Sequence, residues 1–157
     1  GYAVDRAIAI LERAGVDQAA VSAGGDSRII GDRRGEPWSV GVRDPRHEDR
    51  LAVVLPLIDT AVSTSGDYER FFERDGVRYH HILDPATGRS ARGVQSVTIL
   101  GANAIDTDGL STSVFVLGLP AGLELIDRLP GVDAIIIDAA GNLHYSADLA
   151  PLTAARH

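Results

Sequence analysis

The sequence predicts an α+β fold in which antiparallel-rich sheets pack against a few helices. Three observations carry that prediction. Short alternating stretches are separated by Gly, Asp and Pro turns, with Asp75-Gly76 as the strongest hairpin signal. Only three stretches show helical spacing, and they do not alternate with strands as βαβ units would require. The 157 residues are 45% hydrophobic, enough to close one core.

Tyr2 to Ala14 places Ala3, Ala7, Ile10, Leu11 and Ala14 among Asp5, Arg6, Glu12 and Arg13, which predicts an amphipathic helix closed by Gly15. Gln18 to Ala23 reads as a strand running into Gly24-Gly25-Asp26. Two adjacent glycines permit positive φ, and they suit either a plain turn or the close approach of a ligand to the main chain. Ser27 to Gly31, Trp38 to Val42 and Leu51 to Leu57 read as strands, with polar loops at 32–37 and 43–49. Arg43 is either a phosphate contact or an ordinary surface arginine.

Ala61 to Thr64 leads into Ser65 to Phe72, which reads as a strand with three aromatics. Asp75-Gly76 returns the chain through a strand from Val77 to Leu83, ended by the Asp84-Pro85-Ala86-Thr87-Gly88 turn. Alternation places one of His80 and His81 inward and the other outward. An imidazole titrates near neutral pH, so a histidine here is either a hydrogen-bonded core residue or a general base. A Ser65, His81, Asp84 triad lacks the turn context that exposes a nucleophilic serine.

Ser96 to Leu100 is a strand, and the stretch that follows organises the chain. Ile105, Leu110, Val114 and Leu117 recur at helical spacing from the N-cap Asn103 to the stop at Gly118 and Pro120. On that helix Asp108 and Thr112 stand one above the other. Two readings of the pair stand. The carboxylates Asp106 and Asp108 complement the helix dipole, or Asp108 and Thr112 form half a shell of hard oxygen donors for magnesium. Pro120 to Leu129 is a further amphipathic helix, Ala134 to Ile137 a buried strand, and Leu143 to Ser146 a returning strand. The tail from Ala147 to His157 shows no periodicity.

A net charge of −7 without a long basic cluster argues against nucleic acid as a partner. With no cysteine there is no disulfide framework, thiolate nucleophile or zinc-thiolate site. No run approaches the about eighteen apolar residues of a membrane helix, and the composition assigns no compartment. The chain has no methionine and opens at Gly1-Tyr2-Ala3 already in a helix, which predicts a fragment of a longer polypeptide.

The order and wording of these motifs resemble the ApbE-like family, the FAD-dependent protein FMN transferases. The matching segments are Gly1-Tyr2-Ala3-Val4-Asp5, Gly24-Gly25-Asp26, Trp38 to Pro45, Thr64-Ser65-Gly66-Asp67-Tyr68, His81 to Gly88 and Asp108-x-x-x-Thr112 with Phe115 to Gly118. Leu129 to Val132 and Ile137-Asp138 also fit, so the resemblance spans nearly the whole chain.

The resemblance implies a T-fold-like C-terminal portion of a single flavin transferase domain covering residues 1–157. It implies transfer of FMN from FAD to a Thr or Ser hydroxyl of an acceptor flavoprotein, with AMP leaving and Mg2+ required. Some relatives are instead like FAD pyrophosphatases, and a non-catalytic flavin carrier is the rival from another class. Asp108 and Thr112 look like metal ligands, with the Ser111 carbonyl as a third, and His81 looks like the base. Gly24, Gly25, Asp26, Ser65, Gly66 and Tyr68 look like flavin-pocket lining. The family continues upstream of Gly1, which implies an upstream fragment that completes the cleft.

Overall fold

A computed structural model describes residues 1–149. Its centre is a six-stranded sheet, antiparallel throughout, in the order β1 (Ala19–Ala23), β2 (Asp26–Ile30), β5 (Ala61–Gly66), β10 (Val94–Gly101), β11 (Asp133–Asp138) and β12 (Leu143–Tyr145). Three two-stranded ribbons accompany it: β3 (Trp38–Arg43) with β4 (Leu51–Leu57), β6 (Phe71–Arg74) with β7 (Val77–His80), and β8 (Leu83–Asp84) with β9 (Arg89–Ser90). The helices are α1 (Tyr2–Arg13), α2 (Ala104–Leu117) and α3 (Leu119–Ile126). The α+β prediction therefore holds. Among the described residues no helix is long and apolar enough to cross a membrane.

The central strands β10 and β11 are covered on both faces, which is why Val97, Ile99, Ile135 and Ile136 are all fully buried. One face presents Val97, Ile99, Ala134 and Ile136 to Val114 and Phe115 of α2 and Ile126 of α3. The other presents Val62, Leu100 and Ile135 to Val42 and Leu55 of the β3–β4 ribbon. The result is a helix layer, a sheet and a ribbon, with α2 packed across β5 and β10.

Several predicted boundaries and faces are corrected. The buried stripe of α1 is Val4 and Ile8, while Ile10 is 56% exposed, because two large aliphatics one turn apart make a better contact than the scattered alanines. On α2 the inward residues are Ala104, Thr107, Ser111, Val114 and Phe115, while Ile105 and Leu117 are half exposed. Two of those five residues carry hydroxyls, so hydrophobic spacing alone picks the wrong side. Asn103 occupies the N-cap but its side chain turns to Asp106. The carboxylate of Asp5 takes its place, accepting the amides of Ala104 and Ile105 at 2.9 Å each.

The strand expected over 65–72 is broken after Gly66. There the amide of Asp67 turns to donate to the Gln95 carbonyl, and its carboxylate takes a two-pronged ion pair from Arg46, both distances 2.7 Å. The strand expected over 77–83 breaks after His80, whose amide and carbonyl both engage the Ser90 hydroxyl. The helix expected to reach Leu129 ends at Ile126, and residues 127–130 form a turn. Asp75-Gly76 forms the predicted tight turn between β6 and β7, with both φ angles positive. The predicted tail extends past the described residues from 150 onward.

Candidate functional site

Three pieces of chain meet at the end of β5. The first is the β1–β2 turn, where Gly24 and Gly25 have φ of +63° and +98°, a two-residue hairpin that residues with side chains would strain. The turn reading holds here, and both glycines border a cavity. The second is Ser65-Gly66 at the last residues of β5. A methyl group on Gly66 would lie 2.3 Å from the Tyr68 ring, so the missing side chain lets that ring fold back over the strand end. The third is α2, which carries Asp108, Ser111 and Thr112.

These pieces enclose a cavity of about 680 Å3 whose lining includes Gly24, Gly25, Asp26, Ser65, Gly66, His81, Asp108, Ser111 and Thr112. The sequence scatters them over more than eighty positions, and the sheet brings them together. Tyr68 is not part of that lining. Its ring lies under the Arg43 guanidinium at 5.8 Å, and burial, followed by the Glu69 charge, raises its hydroxyl pKa above the ordinary value.

The floor of the cavity is a cluster of oxygen atoms. Ser65 Oγ lies 2.9 Å from both Ser111 Oγ and Thr112 Oγ1, and Ser111 Oγ also donates to the Asp108 carbonyl at 3.0 Å. Beside it the Asp26 and Asp108 carboxylates converge on the main-chain nitrogen of Gly1, at 2.7 Å from Asp26 Oδ2 and 2.8 Å from Asp108 Oδ2. Gly1 is fixed there by close packing, because a Cβ would sit 2.3 Å from the Ala104 carbonyl oxygen. Two acidic oxygens thus converge beside the hydroxyl cluster. Among the described residues no three His, Cys, Asp or Glu side chains converge as a conventional metal cage.

The adjacent histidines divide their roles as the strand alternation requires. His80 is buried, with Nε2 2.9 Å from the Ala91 carbonyl and its ring edge-on to Phe115 at 5.5 Å. His81 is exposed and borders the cavity, and its amide donates to the Arg70 carbonyl at 3.2 Å. Arg43, Glu69 and Arg70 complete that wall. Arg43 is weighed from sequence as a phosphate contact, whereas Arg70 and Glu69 carry no motif signal. Asp67 holds this wall from behind: it is 93% buried against Arg46 and also meets Arg78 at 3.5 Å.

A model of the ApbE family matches residues 1–136. The chain is 42% identical over 160 residues to the FAD:protein FMN transferase of Treponema pallidum (strain Nichols), a match covering 95% of this chain and 44% of that protein. It superposes on the crystal structure of an ApbE protein from Thermotoga maritima with a TM-score of 0.86 at 44% identity, covering 96% of this chain and 50% of that one. The flavin transferase ApbE from Vibrio cholerae gives a TM-score of 0.81 at 31% identity, with 96% and 49% covered. The chain spans about half the length of these relatives. The matched residues include every strand and helix that builds the cavity, and on that agreement of sequence and fold this chain belongs to the ApbE family.

Proposed function

We propose that this chain supplies the catalytic wall of an FAD:protein FMN transferase. The observation that carries the proposal is the single cavity shared by Asp26, Asp108, Thr112 and His81. The relatives named for this activity support it. In the reaction the acceptor hydroxyl attacks the flavin-side phosphorus of FAD. A new phosphorus–oxygen bond joins FMN to the acceptor, the bond to the bridging oxygen breaks, and AMP leaves with that oxygen.

Little covalent chemistry is asked of the protein, so catalysis reduces to positioning, charge neutralisation and removal of one proton. His81 stands exposed at the cavity edge, where its imidazole accepts the hydroxyl proton. Arg43 and Arg70 lie on the same wall to draw in the phosphates. The Gly24-Gly25 turn lets the dinucleotide approach the main chain closely, and Gly25, Asp26, Ser65 and Gly66 line its bed. Tyr68 acts one step back, holding the Gly66 bend.

Mg2+ is the cation these donors suit. Asp108 and Thr112 would hold it through side-chain oxygens and Ser111 through its carbonyl, and the convergence of the Asp26 and Asp108 carboxylates on one point supports the fit of a positive charge there. When bound, the ion neutralises charge on the diphosphate oxygens.

The test uses the complete polypeptide that carries this chain, FAD, Mg2+ and an acceptor flavoprotein. Intact mass should show the acceptor gaining one FMN with one AMP released, and Asp108→Ala should abolish both. Full activity of that variant overturns the ligand assignment. AMP released with no flavin attached to the acceptor would instead establish FAD hydrolysis, and stable bound FAD with no AMP would establish a carrier.

A further inference from the structure

Arg70 and His81 border two cavities. The second, of about 760 Å3, is lined by Phe71, Phe72, Tyr79, Leu83, Arg89 and Arg92 as well as by that shared pair. Nothing in the diphosphate reading uses it. Its wall is an aromatic plate in which the Phe72 and Tyr79 rings stack at 5.1 Å and 11°, while 62% and 39% of these residues remain exposed. Stacked rings left open to water on a ribbon of four-residue strands are a surface built to be covered.

The charge is equally uneven. Among the described residues the lining holds three arginines and no carboxylate, in a chain whose net charge is −7. Among the described residues, neighbouring Arg78 is paired with Glu73 and Asp67, whereas Arg70, Arg89 and Arg92 have no carboxylate within 4.0 Å. An arginine without a partner beside an exposed ring offers a planar donor fork for a carboxylate and a face for apolar contact.

We propose that this second cavity is the docking site for the acceptor, and that it takes an extended protein segment carrying apolar side chains and at least one carboxylate next to the modified Thr or Ser. The segment lies on the Phe72–Tyr79 plate, its carboxylate meets Arg89 and Arg92, and its hydroxyl reaches His81 at the passage into the diphosphate cavity. This inference rests on the transferase reading for the identity of the occupant. The shared border at Arg70 and His81 makes the two cavities one continuous track, one end for the dinucleotide and the other for the chain it modifies.

The test measures binding without turnover. A fluorescein-labelled twelve-residue peptide with a central Thr flanked by Leu and Asp, and a counterpart with Lys in place of Asp, are titrated by anisotropy into the FAD-loaded complete polypeptide. The Asp peptide should bind, the Lys peptide about tenfold more weakly, and the double variant Arg89→Glu/Arg92→Glu should invert that order. Phe72→Ala should weaken both peptides while FAD affinity, read by flavin fluorescence, stays unchanged. Equal affinity for the two peptides, no binding of either, or an Arg89/Arg92 variant that loses FAD or melting temperature without the inversion overturns the proposal. The last outcome would mark the plate as a contact within the polypeptide itself. Peptide binding with the expected inversion but no FMN transfer would leave the docking site standing and remove the transferase reading.

Discussion

Thr107 of α2 and Ser63 of β5 share a buried hydroxyl-to-hydroxyl hydrogen bond of 2.8 Å, and four residues along the helix and two along the strand Ser111 meets Ser65 at 2.9 Å. The two steps match, since four helical residues rise about 6 Å and two strand residues about 6.6 Å. The same ladder that seats the helix on the sheet therefore ends at the oxygen cluster of the cavity.

The ladder is asymmetric, and that gives a stability prediction. Thr107 Oγ1 also lies 3.2 Å from the Ala104 carbonyl, whereas Ser63, fully buried, has Thr107 as its partner. Thr107→Val keeps the volume but strands the Ser63 hydroxyl, at a cost of about 1–3 kcal/mol. Ser63→Ala should cost less, and Ser63→Ala/Thr107→Val should recover part of the loss. Urea unfolding of the three variants checks the order; a Ser63→Ala variant less stable than Thr107→Val would contradict the accounting.

Asp5 ties α1 to the start of α2, and its pH dependence is testable. Burial pushes its carboxyl pKa up, but the amides of Ala104 and Ile105 and the Arg28 guanidinium at 2.8 Å pull it further down, so the folded value lies below the ordinary 3.8. A carboxyl with a depressed folded pKa contributes stability above its unfolded pKa and loses it as pH falls through the folded one. Asp5→Asn should therefore be destabilised by about 1 kcal/mol at neutral pH. The gap to wild type should narrow once the pH drops below 3.8. Paired denaturant titrations across that range would detect a gap that stays constant.

The two hairpin turns at Gly24-Gly25 and Asp75-Gly76 were readable because two successive positive φ angles demand such residues whatever the surroundings. The helix over Asp108 and Thr112 was readable too, as was the opposite burial of His80 and His81. The inward face of α2 was not, because Thr107 and Ser111 are inside only by virtue of hydroxyls from a strand more than forty residues away. The cap from Asp5, about one hundred residues from the amides it accepts, has no local signature at all. Arg70 and the aromatic plate escape motif reading for the same reason: their meaning comes from what the ribbon places beside His81.

The oxygen cluster predicts a graded response at Thr112. Thr112→Ser keeps the hydroxyl that meets Ser65 and should retain cation affinity within a few fold. Under the proposed ligand set, Thr112→Val removes one donor and leaves Ser65 still bonded to Ser111, so the fold should hold while Mg2+ affinity drops about tenfold or more. Calorimetric titration of Mg2+ into the FAD-loaded complete polypeptide reads the affinity, and melting temperature reads the fold. Equal Mg2+ affinity in Thr112→Val would remove this residue from the ligand set.

His80 and His81 should fail in opposite ways. His80 fills a core position, its ring against Phe115 and its Nε2 on the Ala91 carbonyl, so His80→Ala opens a cavity and should cost roughly 2–4 kcal/mol. His81 is exposed, and among the described residues its hydrogen bond is made by the backbone amide, to the Arg70 carbonyl, which alanine keeps. His81→Ala should thus leave stability within about 0.5 kcal/mol of wild type. If the imidazole takes the acceptor proton, the same change should slow FMN transfer about 10²–10⁴-fold while FAD affinity stays nearly constant. Single-turnover transfer rates, flavin fluorescence titrations and melting curves on both variants separate the roles. A His81→Ala enzyme that transfers at the wild-type rate would move the base elsewhere, to a group the acceptor itself brings into the cavity.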